Sequence, residues 1–222
     1  MPCSVSCNNG NNPDTYPGDH NQNVVGRVYG SMDSVYAPIW VFFRDMRRTH
    51  KHYLPSEAST SIGLRAQRGR ESNARPCILL RPHPELGVNC ASVYLMATYT
   101  NTPLSEMPLV FQHFSIAVHT LPHAESTTPQ DHLHSMPEWS GVAVQWVIAL
   151  EYNTRTLLPG QPWSAPNGQQ YIFGGQAMEY LMKCSDQKRQ SWQTMCQKDG
   201  TFLAAQVFQL KVSMSHLADI WT

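Results

Sequence analysis

A chain of 222 residues with 41% hydrophobic content is long enough for one sizeable domain with a packed core. Only 14% of the residues are charged, while Pro (16) and Gly (13) are plentiful, a balance that favours a loop-rich β or α+β protein over a helical bundle. Sixteen Lys and Arg offset sixteen Asp and Glu, which argues against a surface that grips polyanions everywhere.

Residues 1–23 are polar and carry no apolar stretch of the secretory kind. They read as a disordered tail on an intracellular chain. No run approaches the roughly 20 apolar residues of a membrane helix, so no membrane association is expected. Six cysteines are scattered without a CxxC pair, and thiols are the expected state. Cys3 and Cys7 have a CxxxC spacing, but no second pair follows to complete a zinc set.

Two strand-like stretches come next, 24–29 and 36–43. The second (Tyr36-Ala37-Pro38-Ile39-Trp40-Val41-Phe42-Phe43) is rich in β-branched and aromatic residues, with Pro38 expected at its start or on an edge. Residues 44–74 lack apolar periodicity and read as a long loop, with a short helix near 44–52. Residues 44–81 hold nine of the sixteen basic residues and three acids, so this segment is +6 and the remainder −6. It is either a solvated loop or a local electropositive surface for phosphate.

An apolar strand follows at 75–80, opened by Arg75-Pro76. Pro82, Pro84 and Gly87 mark a bend, and a second apolar strand at 92–98 ends in Ala97-Thr98. Residues 100–107 read as a turn, 110–118 as a strand, 121–137 as a His-rich loop and 142–150 as a buried strand. A Pro-rich loop spans 153–168. Residues 176–199 read as a helix that stops at Gly200, and 202–212 as a last strand or helix. The expected layout is a tail (1–23), a β-rich core (24–152) and a C-terminal helical extension packed on it (153–222).

Candidate chemistry centres on the hairpin. An arginine opens its first strand and a threonine closes its second, so one sheet end can hold a guanidinium beside a hydroxyl, a pairing suited to a phosphodiester. His50/His52 and His132/His134 are HxH pairs, which share one face in a strand. Neither is completed by an acid or cysteine into a recognisable ligand set, so no metal is expected. No Gly-rich phosphate loop, G-x-S-x-G elbow or Ser-His-Asp order stands out, and no cofactor is expected.

The order of these features resembles the MazF/PemK family of toxin ribonucleases over roughly residues 36–120. The parts are an aromatic strand (Ile39-Trp40-Val41-Phe42-Phe43) and a polar loop (Gly69-Arg70-Glu71-Ser72-Asn73-Ala74). Arg75-Pro76 then opens an apolar strand, a second strand ends at Thr98, and Met107-Pro108 leads to Phe114-Ser115-Ile116-Ala117-Val118. The chain departs from the family in having Ala37-Pro38 where Gly-Asp usually opens the first strand, and in its longer loop before Arg75. Residues 121–222 have no counterpart.

The resemblance implies an α+β fold built on a small SH3-like β-barrel. It also implies metal-independent cleavage of single-stranded RNA, with the 2′-hydroxyl attacking the adjacent phosphate to leave a cyclic phosphate. Arg75 would bear the charge that builds on the phosphoryl oxygens. Thr98 would hydrogen-bond the phosphate, and Glu71 would act as base. Arg65, Arg68 and Arg70 would hold the RNA backbone, with Trp40 or Tyr99 stacking a base. The alternative is a non-catalytic SH3-like barrel that binds RNA or a protein partner, a second copy of itself included. Zero net charge and the altered first strand favour that alternative.

Overall fold

A computed structural model describes residues 25–49, 74–83, 90–119, 132–140, 143–154, 158 and 161–220. In chain order these form β1 (Gly26–Ser31), α1 (Ala37–Thr49), β2 (Arg75–His83), β3 (Cys90–Ala97), α2 (Leu109–Phe114), β4 (Ser115–Val118), β5 (His132–Leu133), β6 (Gln145–Ile148), β7 (Tyr152–Asn153), β8 (Ile172–Phe173), α3 (Gly175–Lys198) and α4 (Phe202–Ile220). The protein is α+β. Its strands lie in one mixed sheet in the order β5-β4-β6-β3-β2-β1-β8, with β7 pairing β3 off that path. Among the described strands only β4 and β5 run parallel.

The hairpin of β2 and β3 is the centre of the sheet, in the register Cys77↔Leu95 and Ile78↔Tyr94. Val93, Leu95 and Ala97 point into one apolar cluster, and Tyr94 and Met96 into another. Burial on both faces is why β3 reads as a continuous apolar run rather than an alternating one. The first cluster lies between the sheet and α1, α2, α4 and the C-terminal half of α3. The second is enclosed by Val28, Ile78, Ile116, Leu133, Val147, Phe173 and the N-terminal half of α3.

Residues 36–43 are not a strand. They enter α1, where Ile39, Phe42, Phe43 and Met46 are buried and Arg44, Asp45 and Arg48 are exposed. That spacing is helical, and a stretch apolar at both odd and even positions has no period of two. Pro38 sits in the first turn, where its missing N–H costs nothing. The Ser34 carbonyl accepts from the Ala37 N–H at 2.9 Å and starts the turn.

Residues 110–118 divide in two. Val110, Phe111 and Phe114 form the buried side of α2, and the strand begins only at Ser115. The Pro108 carbonyl accepts from the N–H groups of Phe111 and Gln112, and the Gln112 amide donates to the Met107 carbonyl at 2.7 Å, which holds this short helix in place. In the C-terminal part, α3 covers the expected helix and α4 takes the helical alternative for 202–212. Residue 152 is not a structural boundary, because β8 lies beyond it and pairs with β1 (Gly26↔Phe173). No helix among the described residues is long and apolar enough to cross a membrane.

Candidate functional site

Arg75 opens β2 level with Ser31 of β1. Two positions on from Cys77↔Leu95, it stands level with Ala97 on β3. Ala97 pairs Trp146, Trp146 pairs Ala117, and Ala117 pairs His132. One rung therefore runs Arg75, Ala97, Trp146, Ala117, His132 across five strands. Strands lie about 4.8 Å apart, so its ends are roughly 19 Å apart along the sheet. Residues opposite one another share a face, and Cys77, Leu95 and Ala97 mark it as the face covered by the helices.

Thr98 follows β3 at this end of the sheet. Strict alternation would turn it to the other face, but its backbone (φ −101°, ψ −4°) has already left the strand. Tyr99, Thr100 and Asn101 then all take left-handed conformations, with φ of 48°, 56° and 63°. A non-glycine residue rarely adopts this region, and three in succession store on the order of 1 kcal/mol or more each. The turn closes on itself, the Asn101 N–H donating to the Thr98 carbonyl and the Thr102 N–H to the Tyr99 carbonyl, each at 3.0 Å. It leaves Thr98 half-exposed in a groove of about 370 Å³, walled by Asn101, Thr102, Pro103 and Leu104 on one side and Ala143, Val144 and Trp146 on the other. None of these residues is charged. Gln145, next to Trp146 in β6 and level with Val118, is 3% exposed on the opposite face of the sheet, and its side-chain Nε2 has no hydrogen-bond partner.

Arg75 is exposed. Its guanidinium lies close enough to the Tyr36 phenol to oppose the rise in pKa that burial imposes on that group. The Ser31 hydroxyl meets the Asp33 carboxylate at 3.4 Å in the turn after β1. Arg75 and Thr98 thus occupy the same end of adjacent strands.

The base-stacking pair divides. Tyr99 is 7% exposed, its hydroxyl 2.6 Å from that of Ser115 and its ring edge-on to Phe111 at 5.4 Å. It is a core residue and presents no face to a base. Trp40 is half-buried on α1, packed on the helical core and edge-on to Phe43. Trp146, inside the stretch 142–150 that the sequence marks as a buried strand, lines the groove as well as touching the core. Glu71, Arg65, Arg68 and Arg70 lie outside the described residues, as does the pair His50/His52.

His132 in β5 and His134 just after it lie together, their Nε2 atoms 2.9 Å apart. His119, at the end of β4, joins them, a neighbour that sequence spacing could not reveal because β4 and β5 pair across a long connection. Burial, then the two neighbouring imidazoles, push the His134 pKa down, and Glu138 opposes them. Among the described residues no group of three His, Cys, Asp or Glu side chains could hold a metal ion. Neither family models nor curated proteins nor solved structures give a match to this chain.

Proposed function

We propose that the chain is a MazF/PemK-like endoribonuclease that cleaves single-stranded RNA without a metal. The observation that carries this reading is the position of Arg75 and Thr98 at one end of the adjacent strands β2 and β3, with Thr98 lining an uncharged groove beside a strained turn. A forked guanidinium suits the extra negative charge on a phosphoryl group under attack. A neighbouring hydroxyl supplies a second hydrogen bond to that group. Trp146, between the small residues Ala97 and Ala117 on its rung, offers a ring on which a base can stack. Glu71 remains the proposed base, and Arg65, Arg68 and Arg70 the proposed backbone contacts.

The same proposal makes the sheet a barrel. What supports closure is an isolated two-way backbone bridge between Met136, three residues beyond β5, and Ile172 of β8. The Met136 N–H donates to the Ile172 carbonyl at 2.7 Å, and the Ile172 N–H to the Met136 carbonyl at 2.8 Å. The second apolar cluster is then the barrel interior.

Purified protein with EDTA present is expected to cut single-stranded RNA. Arg75→Ala should slow it by roughly 10²-fold or more, the usual cost of losing one donor to a developing oxyanion. Cleavage that survives Arg75→Ala at full rate would sink the assignment. The second reading is a non-catalytic RNA-binding barrel, and a groove lining that holds no acid or base of its own favours it over turnover. It predicts RNA binding without turnover. Trp146→Ala should then weaken that binding by about 1–3 kcal/mol, the usual worth of one base–aromatic stack.

A further inference from the structure

We infer that His119, His132 and His134 form an acid-sensitive latch, which holds residues 132–137 on the sheet while its imidazoles are neutral and loosens them as the medium turns acidic. These residues tie two strands together. At one end the Leu133 carbonyl accepts from the His119 N–H, at the end of β4, at 2.8 Å. At the other end Met136 exchanges two backbone bonds with Ile172 of β8, at 2.7 and 2.8 Å. Leu133 and Ser135 are buried, at 1% and 3% exposure. The three rings gather at the first end, their centroids 4.6, 4.7 and 5.1 Å apart.

The 2.9 Å contact between the Nε2 atoms of His132 and His134 is a hydrogen bond only when one carries a proton and the other a lone pair. At least one of the two rings is therefore neutral in this arrangement. Charging both leaves two donors facing each other and sets like charges side by side, with ring centroids 4.6 Å apart. The Nδ1 atom of His119 is buried without a hydrogen-bond partner, so an imidazolium there would enclose an N–H with no acceptor. The groups that act on His134 are these two imidazoles and the Glu138 carboxylate. Burial, then His132 and His119, favour its neutral form, and Glu138 opposes them. Strand β6, beyond β4, brings Gln145, Trp146, Val147 and Ile148, and β8 brings Ile172 and Phe173, none of which titrates. Release removes these constraints, and a solvated imidazole titrates near about 6.5. Below that pH the open form binds more protons than the closed one. Attachment is thus full above about 6.5 and is lost as the pH falls. The latch does not depend on the nuclease reading, since it contains neither Arg75 nor Thr98.

The test is amide hydrogen exchange of the full-length chain, followed by NMR and expressed as protection factors at pH 7.5 and 5.5. The reporters are the His119, Met136 and Ile172 amides, with the amides of β2 and β3 as the reference. One imidazole kept neutral when attached, and titrating normally when released, raises the open fraction roughly 10-fold over that interval. Protection at the three reporters is expected to fall by about that factor, and much less in β2 and β3. His134→Gln, at an exposed position, should remove most of the fall, and so should His132→Gln. His113, on α2 against Trp192, also resists protonation, but it stands outside the latch and acts equally in the wild type and both variants. The wild-type comparison carries the test if neither variant folds. An equal fall throughout the sheet would assign the acid sensitivity to global unfolding and overturn the proposal. So would unchanged protection at the three amides, or a pH dependence that survives both substitutions.

Discussion

Gly26 opens β1 with its Cα against the second core. A Cβ built there would lie 2.3 Å from Met178 Sδ and 2.6 Å from Ile78 Cγ2. Met178 is flexible but 1% exposed, and Ile78 is stiff at χ1 and fully buried in β2, so neither has room to retreat. Gly26→Ala should therefore destabilise by about 1–3 kcal/mol, the usual range for overpacking, read as a lower urea midpoint at unchanged m-value. At the same scale, Arg75 and Thr98 could be placed from the sequence because two apolar runs around a Pro/Gly bend fix a hairpin and its ends. The burial of Tyr99 could not. It depends on a left-handed turn built without glycine, from Tyr99, Thr100 and Asn101, and nothing local announces that conformation. His119 was missed as a partner for a different reason. Its neighbours come from a parallel pairing, which leaves no trace in local spacing.

The elements show the same division between local and distant causes. Strands β2, β3 and β6 and helix α3 carry strong periodic or continuous apolar patterns, and each lies where those patterns put it. The segments 36–43 and 110–118 do not, because their composition favours strand while their spacing favours helix, and packing against other helices decides. In α1 that packing is aromatic. Phe43 stacks with Trp192 of α3 at 6.1 Å between centroids, and Trp192 lies 5.6 Å from Phe114 of α2. Phe43 and Trp192 are 1% and 0% exposed. A double-mutant cycle with Phe43→Leu and Trp192→Leu should give a coupling of about 0.5–1.5 kcal/mol, measured by chemical denaturation. Additive effects would show that α1 and α3 meet without depending on one another.

At the scale of the molecule, the sheet formed by the described residues separates two apolar clusters, and β3 lines both. The C-terminal part is therefore no appendix, since β8 completes the sheet's edge and the 24 residues of α3 reach from one cluster to the other. A helix of that length spans about 36 Å. Its N-terminal half buries Met178, Leu181 and Cys184 in the second cluster, and its C-terminal half buries Trp192 and Cys196 in the first. The sequence reading set a boundary at 152 because it saw a change from strands to helix. It had no means to see that a two-residue strand and one helix face would be shared across that line.

The placement of those two cysteines makes α3 its own recording device. Burial pushes the Cys196 thiol up to about 11, and that of Cys77, in the same cluster, up to about 12. At pH 8 neither is a nucleophile until its surroundings open. Because β3 cannot leave one cluster without leaving the other, an aromatic disulfide reagent should modify Cys184 and Cys196 at a common rate, followed by peptide mass spectrometry. Markedly faster labelling of Cys196 would mean that the helix end frays while the sheet holds. The chain thus carries a built-in clock in each half of one helix, and comparing the two tells whether the protein breathes as one body or as two.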